Sequence, residues 1–412
     1  DSADVVVSGS YNTSAINHGA IEPHGCVAGF DHSGRLTVWT ATQQLSVCHA
    51  QLAMAMGLPM TEVRVTPLGI GGGFGGKLHT NLEPLTALLA QKTGRSVRLV
   101  MTREEEFLAA KARPPYTVHV TIGANRDGKL VAADVDIVAD VGAYADNAIG
   151  TASHGMASAD GPYNFPAIKA RARAVYTNNP DYGCMRGYGT YQMLFALEAH
   201  MDVVAKELGM DPAEFRMLNL MVDGDPLLTN QPVHGVQIQT TMEKALEQSG
   251  YWDKKGKLEP NHGIGIANVV KTNGLLASSA SARLNEDGTV SITTAAVEIG
   301  TGTHTILAQI ASEVLDMPVD RVSVGAPDSD TAAFDLGSIA SRTVFDNGSA
   351  VRLAAEELAE RIVFRAAEVL DCEPDDIVLG GEKAYRRSDP DAALAFGAVA
   401  GISAYSFGGP LV

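Results

Sequence analysis

The chain has 412 residues, of which 45% are hydrophobic and 19% charged, a balance that suits a folded protein with more than one core and excludes disorder. Its 31 basic and 48 acidic residues leave a net charge of −17 with no Lys/Arg run. Nucleic-acid binding, which needs a cationic face, is thereby excluded, and no apolar run is long enough to span a bilayer. Cys26, Cys48, Cys184 and Cys372 are scattered, with no Cys-x-x-Cys pair. The chain itself therefore shows no iron–sulfur or zinc framework, and free thiols in a reducing, cytoplasmic setting are expected.

Residues 1–40 alternate in strand fashion, with Val5–Val7, Val27–Phe30 and Leu36–Trp39 as strands and His32-Ser33-Gly34 as a turn. Gln51–Met56 continues a helical stretch that stops at Gly57, and Val63–Val65 follows as a strand. Leu82–Gln91 predicts a helix with Gly94 just past its end. Two long strands, around Tyr116–Ala124 and Lys129–Ala139, flank the hairpin turn Asn125–Gly128. Phe195–Leu208 predicts a helix ending at Gly209. Asp211, Pro212 and Glu214 then open another, with a capping box. Between Met221 and Asn261 the chain turns polar and loop-rich, apart from a short helix within Thr241–Gly250, and a domain boundary is placed there. Residues 56–65 and 315–324 also echo each other: each follows a helix and puts Pro before a short loop and a Val-x-Val strand. The echo suggests two similar units, one from each half, facing a shared site.

The sharpest local feature is Gly71–Lys77, with five glycines in six residues. Glycine admits positive φ and bares backbone N–H groups, so such a loop can approach a phosphate or a metal's oxygen or sulfur ligand. Gly71-x-x-x-x-Gly76-Lys77 matches most of a phosphate-binding P-loop, but Leu78 stands where that motif needs Ser or Thr. Phe74 amid the glycines is expected to pack on something. Gln43 lies where a strand meets a helix and, taken alone, reads as a cap; Glu22-Pro23-His24 reads as a solvated turn. Arg186 and Tyr188, spaced by glycines, suit an anionic or planar ligand through bidentate hydrogen bonds and stacking. Gly300–Thr305 precedes a helix whose N-terminal amides form an anion site, and Gly337–Thr343 precedes the amphipathic stretch 350–370. Together these loops suggest a large anionic cofactor gripped by main chain.

In their order, Thr42-Gln43, Gly71–Lys77, Arg186–Gly189, Gly300–Thr305 and Ala340-Ser341-Arg342 resemble the molybdopterin-binding subunit of the xanthine dehydrogenase/aldehyde oxidase superfamily. The resemblance runs from about residue 3 to 373. It implies an α+β fold of two elongated mixed subdomains, 1–225 and 226–412, the second incomplete at its C-terminus. It implies molybdenum held through molybdopterin, in either its simple or its cytosine dinucleotide form, with no direct protein ligand. Gln43 and Arg186 would act at the metal, with Gly73, Phe74 and Gly75 beside it. Thr301, Gly302, Thr303, Ala340, Ser341 and Thr343 would hold the pterin, and Tyr188 and Leu78 would meet the substrate. The implied reaction hydroxylates an N-heteroaromatic (purine-like) compound or an aldehyde with oxygen from water. Electrons would leave through iron–sulfur clusters and FAD on partner subunits or domains of a hetero-oligomer. The sequence departs from the pattern at Thr301, often Gln in the family, and at Tyr188, often Phe. It also departs at Leu78, an acid in purine oxidisers. The family's Gly-Glu-Pro general base is not found; the chain reads Gly408-Gly409-Pro410 near its end, and the catalytic Glu is expected beyond Val412. The alternatives are a P-loop-like nucleotide hydrolase and a non-catalytic cofactor-binding member of the family.

Overall fold

The computed structural model describes residues 2–271, 273–406 and 409–412. Of the Gly408-Gly409-Pro410 segment, Gly408 lies outside the described residues. The fold mixes helices and sheets, as expected, and its residues cluster into two compact units. The first joins Asp1–His18 to Lys111–Thr272, and the second joins Gly19–Ala110 to Asn273–Val412.

The first unit is built on a four-stranded sheet in the order Val5–Asn12, Tyr116–Ala124, Leu130–Gly142, Ala167–Tyr176. The first three strands are antiparallel. The last pairs parallel, and the connection to it carries the helix Ala148–Ala157. Alternation explains the sheet's inner face: Val118, Val120, Ile122, Val135 and Ile137 are buried. Leu194, Leu197, Met201 and Val204 of the helix Thr190–Leu208 complete the same core. That helix ends at Gly209, whose φ of 70° is the left-handed cap anticipated from the sequence. Asp211 then caps Pro212–Asn219 by accepting from the Ala213 and Glu214 amides. The reciprocal half of the expected capping box, from Glu214, is not among the described hydrogen bonds. A complete box forms instead between Thr102 and Glu105 in the other unit, at the helix Arg103–Ala109.

The second unit contains two strand–helix–strand crossovers. Leu36–Thr40 leads through the helix Leu45–Met56 to Val63–Pro67, its parallel neighbour. Val290–Thr294 leads through Thr303–Leu315 to Val322–Val324, again parallel. Both helices end in a left-handed residue, Gly57 or Asp316, followed by a 3-10 turn and the strand. The echo between 56–65 and 315–324 is therefore a structural repeat, but both copies lie in one unit rather than one in each half. A third copy follows the helix Gly348–Leu370, with Asp371 left-handed, a 3-10 turn at Pro374–Asp376 and the strand Ile377–Gly380. Its strand pairs antiparallel, so only the junction is repeated.

Candidate cofactor site

In both crossovers the loop between the first strand's carboxyl end and its helix carries sequence-predicted site residues, the place where open α/β sheets bind ligands. In the first crossover that loop holds Gln43, which is 3% exposed. Its side chain does not cap the helix, contrary to the reading of Gln43 alone. Oε1 accepts the Gly75 amide at 2.9 Å and the Lys77 amide at 3.3 Å, while Nε2 donates to the Ser338 carbonyl at 3.0 Å. The Gln43 main chain bonds the Lys77 carbonyl and receives the Ser338 amide. One buried carboxamide thus ties the glycine loop to the 337–343 loop. The approach is tight: a Cβ on Gly73 would lie 2.4 Å from Gln43 Oε1, and one on Gly337 would lie 2.3 Å from the Gln43 carbonyl oxygen.

The glycine loop is held from its other side by Glu22–His24. Glu22 accepts from the Gly71 amide at 2.8 Å and from Lys77 Nζ at 3.1 Å. Lys77 is only 2% exposed, so its ammonium is spent inside the protein rather than offered to a phosphate. The next helix starts at Glu83, not directly after Lys77. Both facts remove support from the P-loop reading. His24 is buried too, between Glu106 and the Gly76 carbonyl, which overturns the solvated-turn expectation. Phe74 is 44% exposed, with a left-handed φ of 53°, instead of being sunk into the core. Leu78, expected at the substrate, is buried, at 5% exposure.

At the second crossover the expected anion site is filled from within. Glu298 Oε1 accepts the amides of Gly300, Thr301 and Gly302 at 2.7, 2.8 and 3.2 Å, and Oε2 accepts that of His304 at 3.4 Å. Burial raises this carboxyl, but the four amides outweigh it and hold it below the usual carboxylate range. The hydroxyls of Thr301 and Thr303 lie 3.0 Å apart. Cβ atoms on Gly300 and Gly302 would meet only open space.

The third loop is shaped by Arg342, which is fully buried. It binds Asp335, Asp346 and the carbonyls of Leu276 and Ala277. Ala340 and Ser341 are exposed, with φ of 49° and 57°, a region that costs non-glycine residues roughly 1–2 kcal/mol each. Thr343 opens a π-helical turn, Thr343–Asn347. Beside Ser341 lies a groove of about 440 Å³ lined by Asn273, Ile310, Val344, Phe345 and Arg352 among others.

Arg186 and Tyr188 belong to the first unit. Arg186 is exposed, and its carbonyl accepts from the buried guanidinium of Arg113. Tyr188 has a φ of 47° between two left-handed glycines, and its ring meets His154 edge-on at 4.9 Å. Burial pushes its phenol up to about 12 and His154 below its ordinary value.

Together, the loops of the second unit define a main-chain cradle for a large cofactor. The residues fit such a group: the loops leave open space at Gly300 and Gly302 and present Ala340 and Ser341, exposed, in left-handed form, while Gly73 and Gly337 let the loops close on Gln43 and Gln44. Among the described residues no group of three or more His, Cys, Asp or Glu side chains is placed to hold a metal directly. No helix among them is long and apolar enough to cross a membrane.

Two family models, both described as a molybdopterin cofactor-binding domain, match residues 1–220 and 242–412, and the chain belongs to this family. A xanthine dehydrogenase molybdenum-binding subunit of Escherichia coli O157:H7 is 34% identical over 389 residues, covering 90% of this chain and 51% of the relative. The nicotinate dehydrogenase large molybdopterin subunit of Eubacterium barkeri is 38% identical over 247 residues, 60% of this chain and 58% of the relative. Among solved structures, quinoline 2-oxidoreductase of Pseudomonas putida 86 superimposes with a TM-score of 0.91 at 26% identity, covering 98% of this chain and 55% of that one. Aldehyde oxidoreductase of Desulfovibrio gigas gives 0.82 at 28% identity, covering 90% and 43%. The chain thus spans about half the length of these relatives.

Sequence reasoning missed Glu298, the His24–Glu106 pair and Arg113. Glu298 stands two residues before Gly300, a signal for a carboxylate that folds back on the helix start. Nothing in the sequence joins His24 to Glu106.

Proposed function

We propose that this chain forms the molybdenum–pterin part of a larger oxidoreductase that hydroxylates an N-heteroaromatic, purine-like compound or an aldehyde, with water as oxygen source. The observation that carries it is the double tie of Gln43 to the glycine loop and to Ser338. When bound, the molybdenum–pterin group supplies a redox centre that takes two electrons from the substrate. Gln43 Nε2 spends one N–H on Ser338, and its second is available to an oxygen beside the metal. The exposed guanidinium of Arg186 offsets developing negative charge, and Tyr188 offers a planar ring to a planar substrate. Main chain at Gly73–Gly75 would lie beside the metal. The Thr301, Thr303, Ser341 and Thr343 hydroxyls, with main chain at Ala340, would hold the pterin and its tail, while the Gly302 amide is already taken by Glu298. The groove beside Ser341 has room for a cytosine dinucleotide extension.

The general-base Glu is proposed to come from outside these 412 residues, as are the iron–sulfur and flavin centres, on partner subunits or domains of a cytoplasmic hetero-oligomer. That two relatives are named as subunits supports the hetero-oligomer. Elemental and pterin analysis of the full-length protein, purified from a molybdate-replete host, tests the reading. Near-stoichiometric molybdenum with a fluorescent oxidised pterin supports it, followed by turnover of heteroaromatic or aldehyde substrates. Protein lacking both refutes it.

A further inference from the structure

His24 and Glu106 are buried at 6% and 3% exposure, and neither has a part in the function proposed above. The imidazole Nδ1 lies 2.9 and 3.0 Å from the two Glu106 oxygens, and Nε2 lies 3.0 Å from the Gly76 carbonyl oxygen. Glu106 Oε2 also accepts the His24 amide at 2.9 Å. A carbonyl oxygen only accepts, and so does an ionised carboxylate. The ring thus stands as a bridge, with one nitrogen on the Glu106 carboxyl and the other on the Gly76 carbonyl. Burial raises Glu106, but the His24 amide and ring, with the charge of Lys77, outweigh it and hold its carboxyl below the usual range. The Gly76 amide is itself bonded to the Gly73 carbonyl at 2.8 Å, so holding the Gly76 carbonyl fixes the turn that contains Phe74 and Gly75.

We infer that His24 and Glu106 are positioning residues for the glycine loop: the imidazole bridges the Gly76 carbonyl and a buried carboxyl and keeps Gly73–Gly75 in the shape that faces the cofactor. Glu106 acts through His24, since the ring stands between it and the loop. The cofactor-facing role rests on the proposed function; the positioning of the loop does not.

Hydrogen exchange of the 71–77 segment tests it on the full-length protein, in the wild type, His24→Gln, Glu106→Gln and the double variant. Loss of a charge-assisted hydrogen bond is expected to speed loop exchange by on the order of tenfold in each single variant. The double variant should be no faster than the singles, and exchange of the strand Leu36–Thr40 should be unchanged. Unchanged loop exchange overturns the inference, as do additive effects or equal acceleration across the whole unit. Molybdenum and pterin content, measured in parallel, should fall with the loop's protection. If the wild type itself never holds pterin while the exchange pattern is as expected, the cofactor reading fails and the positioning role stands.

Discussion

Gln43 and Ser338 are joined twice: the Gln43 carboxamide donates to the Ser338 carbonyl, and the Ser338 amide donates to the Gln43 carbonyl, each at 3.0 Å. The same carboxamide receives two amides of the glycine loop. Truncation in Gln43→Ala leaves those amides and the Ser338 carbonyl without their side-chain partner. An unsatisfied buried group costs about 1–3 kcal/mol, and these losses are not additive. The expected result is a loss of about 2–4 kcal/mol by denaturant titration, on the same estimate, and a large drop in molybdenum content. A Gln43→Ala protein with wild-type stability and metal content contradicts the site as described.

The glycines should not be equivalent. Alanine at Gly337 meets a main-chain oxygen at 2.3 Å with φ at 92°, so the cost should exceed the roughly 1 kcal/mol of conformational strain alone. Alanine at Gly300, with φ of 94° but open space around it, should cost only that strain. Gly73→Ala should fall between, because the clashing atom is the end of a side chain. Unfolding midpoints of the three variants give the ranking directly.

Glu298 makes a pH-dependent contribution. Its carboxyl is held below the usual carboxylate range by the amides of residues 300–304, against its desolvation. A depressed folded value stabilises above the unfolded value of about 4.3 and is lost as pH falls through the folded value. Glu298→Gln should therefore be less stable than wild type at pH 7, with the gap closing in acid. A gap that stays constant down to acid pH excludes this assignment.

Tyr188→Phe keeps the ring that meets His154 and removes a phenol that burial already keeps protonated. Stability should change little, and kcat/KM by only a few-fold. Tyr188→Ala should lower kcat/KM for a planar substrate by more than tenfold, following about 1.4 kcal/mol of lost ring contact. Steady-state kinetics on the assembled enzyme distinguishes the two.

Much of this architecture was legible where it depends on local chemistry. Gly57, Gly94 and Gly209 end helices because the left-handed cap suits glycine, and the strands around Asn125–Gly128 follow from alternation and turn residues. Ala167–Tyr176 was missed because it is a largely exposed edge strand whose apolar face, Ile168, Ala170 and Ala172, is made mostly of small residues. The discontinuous units were missed because they depend on pairings across long stretches of chain. Val27 in residues 19–110 and Ile292 in residues 273–412 look alike as sequence, and only the tertiary fold puts them in one unit. Gln43 shows the same limit at the site: its cap reading was locally sound, and its actual partners are 32, 34 and 295 residues away.

The Glu298 carboxylate has a consequence for loading. By closing on four amides of its own loop, it gives the 300–304 turn its form without any help from a guest. Binding free energy is then not spent on ordering that turn. On the function proposed above, a cofactor would meet this turn as a finished mould, already shaped by Glu298.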